Sequence, residues 1–197
     1  MPETVAIIGA GPLGRWLALS AARAGFHVLL EDVMPANLHH AQEFLRQEYL
    51  RQESLREDLD LQARTAVSFV STIEDAVRDA DLVIDCVPDE LESKLEIFWL
   101  LDRMAPPRTV LATPTTRLSI ADLAACTYRP SQCIAIAAEA SSLSGSAPSQ
   151  ILMRTTTRTS AETIALLTRF WHQLGFTPAF EPDPAEHPLP PPPLPAL

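Results

Sequence analysis

The chain has 197 residues, of which 47% are hydrophobic and 20% charged, and its formal net charge is −10. This length suits one domain with a buried core. The acidic balance argues against a nucleic-acid or anionic-membrane surface, because a polyanion would be repelled. No apolar run approaches the ~20 residues of a membrane span, and no charged leader precedes Val5, so we expect neither a membrane segment nor a signal peptide.

The chain contains three cysteines, Cys86, Cys126 and Cys133. Their number is odd and their spacing does not match a metal site. We therefore expect a reduced, cytoplasmic protein without a structural metal.

Short apolar runs alternate with segments of helical periodicity. The predicted strands lie at 5–8, 27–30, 67–70, 81–87, 109–112, 134–138, 151–154 and 177–180, and the predicted helices at 13–24, 36–62 (a pair), 73–79, 90–104, 120–125 and 161–174. Continuous apolar strands are typical of a parallel sheet covered on both faces. The alternation predicts an α/β fold with a doubly wound, mostly parallel sheet (a Rossmann fold) in a single domain over residues 1–181.

Proline dominates the sequence from Pro182 to the end. Such a segment buries too little apolar surface to offset the entropy lost on ordering. We expect residues 182–197 to form a mobile, polyproline-like tail. An alternative is that this tail is an interaction module that docks into an aromatic groove.

The first predicted strand leads into a glycine-rich turn. Gly9, Gly11 and Gly14 fit the pattern G-x-G-x-x-G, and half of the chain's six glycines lie in this turn. The first glycine permits a tight turn, the second lets the backbone approach a pyrophosphate, and the third lets helix and strand pack closely. Pro12 lies at the helix start and has no backbone N–H. No hydrogen bond is lost, because the first amides of a helix have no partner within the helix. This arrangement predicts a dinucleotide-binding site.

An acidic residue follows at the end of the second strand. Asp32 lies 32 − 9 = 23 residues after Gly9, near the ~20 expected for an acid that binds the adenosine ribose. Its charge would repel a 2′-phosphate, so NAD is predicted over NADP. Glu31 is the alternative acid.

Three segments resemble the NAD-binding domain of the 3-hydroxyacyl-CoA dehydrogenase family. Residues 5–14 (VAIIGAGPLG) look like V-x-V-I-G-x-G-x-M-G, and residues 81–94 (DLVIDCVPDELESK) look like D-L-V-I-E-A-V-P-E-N-L-x-x-K. Residues 108–120 (RTVLATPTTRLSI) are similar to I-L-A-S-N-T-S-S-L-S-I. The resemblance implies NAD as the cofactor and an acyl-CoA-like small molecule as a further partner.

The same resemblance implies roles for individual residues. It places Asp89 (for the family's Glu) and Lys94, the single lysine of the chain, beside the nicotinamide ribose. Thr116 falls where the family has a serine near the substrate oxygen. The predicted cofactor-binding residues are therefore Gly9, Gly11, Pro12, Leu13, Gly14, Asp32, Val87, Asp89, Lys94 and Thr116.

The catalytic positions of the family differ here. Its histidine aligns with Ala137, the neighbouring asparagine with Ala140, and its glutamate with Ser149 or Leu152, while the asparagine of N-T-S-S becomes Pro114. The helical C-terminal domain of the family, which makes the dimer, would begin where the proline-rich tail lies. We therefore expect an NAD(H)-binding protein with weak or lost dehydrogenase activity, which self-associates to cover exposed apolar surface.

An active oxidoreductase remains the alternative, with a replacement base or a partner subunit. None of the five histidines lies near the expected site, and Glu139 is the one acidic or basic residue between Arg129 and Arg154. Glu139 would share a strand face with Ala137. Cys86 is interpreted as a small apolar residue, and residues 141–146 as a turn without an identifiable nucleophile.

Overall fold

The computed structural model describes residues 3–52, 66–137 and 150–186. Eight strands lie in these ranges: β1 (Thr4–Ile8), β2 (His27–Glu31), β3 (Val67–Val70), β4 (Leu82–Asp85), β5 (Val110–Pro114), β6 (Cys133–Ile136), β7 (Gln150–Thr155) and β8 (Thr177–Pro182). The helices are α1 (Pro12–Arg23), α2 (Pro35–Gln52), α3 (Ile73–Val77), α4 (Leu91–Met104), α5 (Ile120–Ala125) and α6 (Ala161–Gln173), with a 3-10 turn at Pro130–Gln132.

The strands form one sheet in the order β3-β2-β1-β4-β5-β6-β7-β8. All neighbouring pairs are parallel except β6 and β7, which run antiparallel. The chain order reverses between β1 and β4, so the carboxyl ends of these two strands flank the topological switch point at which such folds bind ligands. The predicted doubly wound, mostly parallel sheet is confirmed.

Alternate side chains of each central strand enter opposite cores. In β1, Val5 and Ile7 pack into the core beneath α1, α2 and α6, whereas Ala6 and Ile8 pack into the core beneath α3, α4 and α5. Both faces of the sheet are thus covered by helices, which explains the uninterrupted apolar sequence of β1. Within the described ranges, no helix is both long and apolar enough to cross a membrane.

The helix pair expected over residues 36–62 is described only in its first part. A single helix, α2, runs from Pro35 to Gln52, and residues 53–62 lie outside the described ranges. Helix α2 carries Leu45 and Tyr49 into the core beside α1.

The start of the proline-rich segment is packed onto the domain, contrary to the expectation that residues from Pro182 onward are mobile. Strand β8 includes Pro182, and the buried Asp183 accepts hydrogen bonds from Ser119 Oγ (2.8 Å) and the Ala121 amide (3.0 Å) at the start of α5. These bonds satisfy helix N-terminal donors, and they also lower the pKa of Asp183. Residues 187–197 of the predicted tail lie outside the described ranges.

Strand β8 forms one edge of the sheet. The Asp183 amide bonds to Thr155 of β7 (2.8 Å), so by strand alternation the residues at 178, 180 and 182 direct their backbone groups outward. Two of these three are Pro178 and Pro182, which have no N–H to offer. Proline is tolerated on such outward edge positions because no ladder bond is lost there.

Candidate cofactor site

The glycine-rich turn joins β1 to α1 at the switch point. Gly9 has a φ of +103°, and its amide donates to the Glu31 carbonyl of β2 (2.8 Å). A Cβ atom at Gly9 would also lie 3.1 Å from the carbonyl carbon and oxygen of Cys86 after β4. A glycine is therefore required here both by backbone conformation and by the close approach of a second strand.

The other two glycines are required for different reasons. A Cβ at Gly14 would lie 1.9 Å from the Gly9 carbonyl oxygen, so this glycine lets helix α1 pack against the turn. Among the described residues, none has an atom within 4 Å of a Cβ at Gly11, and Gly11 has an ordinary negative φ. Neither packing nor backbone conformation therefore requires glycine at position 11, whereas a ligand lying close to the backbone would favour it.

The N-terminus of α1 is open to such a ligand. Gly11 occupies the N-cap position without a side-chain hydrogen bond to the first helical amides, and Pro12 follows it. Unpaired amides and the positive end of the helix dipole attract phosphate. The turn and the helix start therefore fit a pyrophosphate.

Asp32 lies directly beside this turn and is nearly buried. Its Oδ2 accepts from the Ala10 amide (2.8 Å) and its Oδ1 from the Met34 amide (2.8 Å), while Asn37 Nδ2 donates to both oxygens (3.1 Å each). These bonds hold the carboxylate at the end of β2, where the sequence predicts ribose binding. The sequence did not predict the role of Asn37, because the dinucleotide-binding fingerprint specifies no amide side chain five residues after the acid.

Glu31, the alternative acid, is buried on the same strand end. Burial, together with the neighbouring charge of Asp32, raises the pKa of Glu31 to about 7. No hydrogen bond to its carboxylate is present among the described residues. Glu31 therefore lacks the bonds that position Asp32.

This buried acid makes a testable contribution to stability. The pKa of Glu31 in the folded protein exceeds the ordinary 4.5, so the folded chain holds the proton more tightly than the unfolded chain. The resulting contribution to the free energy of unfolding is present at low pH and is lost as the pH rises through about 7. We expect Glu31→Gln to be more stable than the unchanged chain by about 1 kcal/mol at pH 8 and to gain little at pH 5. Urea unfolding at both pH values measures this, with exposed Glu92→Gln as the control. An equal gain at both pH values would contradict the assignment.

A cleft of about 500 Å³ opens in front of the turn. Three segments line it: Gly11–Leu13 at the start of α1, Cys86–Asp89 after β4, and Pro114–Arg117 after β5. Of the predicted cofactor-binding residues, the cleft brings together Gly11, Pro12, Leu13, Val87, Asp89 and Thr116. Gly9, Gly14 and Asp32 shape the turn beside it, and Lys94 does not line it.

Polar groups are concentrated at one side of the cleft. Asp89 Oδ1 is buried and has no hydrogen-bond partner within the part of the chain that the structure describes, and its Oδ2 lies 3.9 Å from Arg117 Nε. Arg117 also donates to the Asp89 carbonyl oxygen (3.1 Å), and Arg154 donates to the Thr116 carbonyl oxygen (3.2 Å). An unpaired buried carboxylate oxygen calls for a hydrogen-bond donor, so Asp89 is a candidate to bind a ligand hydroxyl if the cleft wall opens to it.

Lys94 lies behind the cleft wall and is completely buried. Its Nζ donates to Thr113 Oγ1 (2.8 Å), Asp85 Oδ2 (3.1 Å) and the Val87 carbonyl oxygen (3.3 Å). Burial raises the pKa of Asp85, against the opposing charge of Lys94. The sequence comparison singled out Lys94 but missed Asp85 and Thr113, which come into contact only when β4 and β5 pair.

The other sequence-derived candidates contribute no identified base. Cys86 lines the cleft, but burial raises the pKa of its thiol well above the ordinary value. Ala137 follows β6 and donates its amide to the Leu152 carbonyl oxygen (2.8 Å). Glu139, Ala140, residues 141–146 and Ser149 lie outside the described ranges.

An open, doubly wound sheet with this turn at its switch point is a dinucleotide-binding Rossmann domain. The model of the family described as 3-hydroxyacyl-CoA dehydrogenase, NAD binding domain, matches residues 4–138. The chain therefore belongs to the 3-hydroxyacyl-CoA dehydrogenase family through its NAD-binding domain. The family resemblance inferred from the sequence motifs is confirmed, and so is NAD as the cofactor.

Individual relatives agree. The chain is 33% identical over 135 residues to a probable 3-hydroxybutyryl-CoA dehydrogenase of Bacillus subtilis, covering 67% of this chain and 47% of the relative. A 5-formyl-3-hydroxy-2-methylpyridine 4-carboxylate 5-dehydrogenase of Mesorhizobium japonicum is 32% identical, covering 64% of this chain and 40% of the relative. The crystal structure of 3-hydroxybutyryl-CoA dehydrogenase from Escherichia coli matches with a TM-score of 0.85 and 26% identity, covering 93% of this chain and 39% of that one. The chain thus spans less than half the length of these relatives.

Proposed function

We propose that this domain binds NAD(H) in the cleft and carries out the family's dehydrogenase step weakly or not at all. The backbone of Gly11 and the start of α1 would hold the pyrophosphate, and Asp32 would hold the adenosine ribose. The nicotinamide end would then face Asp89 and Thr116. When bound, NAD supplies a hydride acceptor, and NADH a hydride donor.

The observation that carries the cofactor part is the empty space at the Gly11 Cβ position, beside an uncapped helix start. Glycine is a favoured N-cap residue, and the open space at its Cβ position would also let a ligand lie close to the backbone. Asp32, held by the Ala10 amide, lies beside the same turn, and its negative charge would repel the 2′-phosphate of NADP if the adenosine ribose binds there.

The activity part of the proposal concerns proton transfer. Oxidation of a hydroxyl group needs a base that takes its proton, usually a histidine held by a carboxylate. Among the described residues that line the cleft, Asp89 and Arg117 are the ionisable side chains besides the Cys86 thiol, and none of them is a histidine. Ala137, at the position of the family's histidine, has no titratable group.

Calorimetric titration tests the cofactor part. We expect NADH to bind saturably, with an affinity at least tenfold higher than that of NADPH, because the Asp32 carboxylate would repel the 2′-phosphate. NADH should also raise the unfolding temperature, since it binds only the folded chain. Titrations that show no saturable heat with NADH would contradict the proposal.

The relatives' names suggest the substrate class for the activity test. Two of them are named 3-hydroxybutyryl-CoA dehydrogenases, so we propose an acyl-CoA as the second ligand to try. With acetoacetyl-CoA, we expect the NADH absorbance to fall slowly or not at all. Turnover that Glu139→Ala abolishes would instead establish the alternative, an active oxidoreductase with a replacement base.

A further inference from the structure

Arg117 lines the cofactor cleft at the end of the segment that follows β5. Its side chain is 75% exposed, and its Nε lies 3.9 Å from Asp89 Oδ2, which is too far for a hydrogen bond. A guanidinium group carries five N–H donors. Among the described residues, this one makes a single hydrogen bond, from Nη2 to the Asp89 carbonyl oxygen (3.1 Å). Most of its donors thus have no partner within the described ranges and can bind a ligand.

The turn that presents Arg117 is held by hydrogen bonds on both sides. Thr115 Oγ1 accepts from the amides of Arg117 (3.3 Å) and Leu118 (3.0 Å). Arg154 of β7 donates to the carbonyl oxygen of Thr116 (3.2 Å). The backbone that carries the guanidinium group is therefore fixed, so the positive charge stays within reach of the cleft.

Arg117 lies on the side of the cleft away from the expected pyrophosphate. Strand β4 separates β1 from β5 in the sheet, so the start of α1 and the segment after β5 lie on either side of the segment after β4. Neighbouring strands are about 4.8 Å apart, which separates the ends of β1 and β5 by about 10 Å. With the pyrophosphate at Gly11, the nicotinamide and the ligand that exchanges hydride with it would lie toward Arg117.

The family motif has no charge at this position. Residues 110–120 (VLATPTTRLSI) align without a gap with I-L-A-S-N-T-S-S-L-S-I, and Arg117 stands in place of the second serine. A serine hydroxyl offers one donor and no charge, whereas arginine adds a positive charge. In a chain of net charge −10, an anion would be repelled unless a cation faces it. The difference therefore changes which ligands the cleft favours.

The guanidinium group selects for the geometry and the charge of its partner. Its planar fork can form two parallel hydrogen bonds with one carboxylate. The carboxylate of Asp89 lies close by and balances part of the positive charge of Arg117. The local charge thus favours a singly charged carboxylate over a doubly charged phosphate.

We propose that Arg117 binds the carboxylate of a short organic acid, which occupies the cleft beside the nicotinamide. Arg117 is then a specificity-determining residue that favours a free acid over its CoA thioester, whose acyl end carries no charge. This inference rests on the proposed binding of NAD(H) in the cleft, and it names the class of the second ligand.

Calorimetry on the full chain saturated with NAD+ tests this inference, with acetoacetate as the probe. Acetoacetate has the same acyl group as acetoacetyl-CoA but ends in a carboxylate, and as a ketone it has no hydride to give to NAD+. We expect acetoacetate to bind saturably. Methyl acetoacetate, its uncharged ester, should bind at least about tenfold more weakly, because the charge-assisted hydrogen bonds to Arg117 are lost.

Variants assign the effect to Arg117. Arg117→Met should lower the affinity for acetoacetate at least about tenfold, and Arg117→Lys about threefold, because lysine keeps the charge but not the planar fork. Both variants should unfold cooperatively, since the side chain is exposed. The matched control is Arg108→Met, at the opposite end of β5, where an exposed arginine pairs with Asp81 (3.2 Å). It should change the affinity for acetoacetate less than about twofold.

Three results would overturn the inference and leave the proposed NAD(H) binding intact. These are equal binding of the acid and its ester, no binding of acetoacetate to the chain loaded with NAD+, and unchanged acetoacetate affinity in Arg117→Met. Tighter binding of acetoacetyl-CoA than of acetoacetate, unaffected by Arg117→Met, would assign the cleft to thioesters and overturn it too. Failure of the unchanged chain to bind NAD+ would overturn the proposed function as well.

Discussion

Replacing Gly14 with alanine is expected to destabilise the protein by about 3 kcal/mol. The new Cβ would lie 1.9 Å from the Gly9 carbonyl oxygen; its position is fixed by the backbone of α1, and the oxygen belongs to the backbone of the turn. A flexible side chain could rotate away, but here the turn itself must move. Urea unfolding measures the loss, and NADH binding should disappear with the displaced turn.

Gly11→Ala is the matched control for this substitution. Its Cβ has no atom of the described residues within 4 Å, so the free energy of unfolding should change by about 0.5 kcal/mol or less. The NADH affinity should nevertheless fall at least tenfold, because the methyl group would occupy the space that we assign to the pyrophosphate. Wild-type NADH affinity in Gly11→Ala would place the ligand elsewhere.

The second large effect is expected at a buried ion pair far from the cleft. Arg129 Nε lies 2.9 Å from Asp102 Oδ1, and both side chains are at least 90% buried. The guanidinium group also donates to the carbonyl oxygens of Asp102, Ala105 and Pro106 at the end of α4. One side chain thus satisfies the last carbonyls of a helix and a buried carboxylate together.

Arg129→Met is expected to cost about 3–5 kcal/mol, since it leaves Asp102 charged, buried and unpaired. Thermal or urea unfolding measures the effect. The control is Arg78→Met, which breaks an exposed pair with Asp75 and should change stability by less than about 1 kcal/mol. Similar losses of unfolding free energy in the two variants would contradict the prediction that the buried pair of Arg129 and Asp102 is more costly to break than an exposed pair.

The sequence was sufficient to predict those parts of the site that depend on residues close together in the chain. The glycine turn, the strand before it and Asp32 at the next strand end are set by short-range requirements of backbone and charge, and the structure places them together. Right-handed crossovers then determine on which face of the sheet each connecting helix lies. Local sequence could not reveal what strand pairing brings together, such as Asp85 and Thr113, 28 residues apart.

Composition also misled at one place. The prolines after residue 181 favour a mobile tail, yet Asp183 is held by Ser119 and Ala121 of a helix more than 60 residues earlier. A single buried carboxylate at a helix start offsets the lack of apolar surface in that segment. The match of Lys94 to a family motif likewise predicted that this residue belongs to the cofactor region, but it did not predict the hydrogen-bond partners of its side chain.

The prolines of β8 limit how copies of this chain could associate, an association that we propose because large apolar side chains such as Trp99 and Tyr128 are exposed. A neighbouring chain that tried to extend the sheet here would find one amide, at Phe180, where an unbroken strand would supply three. Copies of this protein would therefore associate through side chains rather than by pairing their sheets along β8. The two prolines thus protect this edge strand against the strand pairing that leads to fibrils.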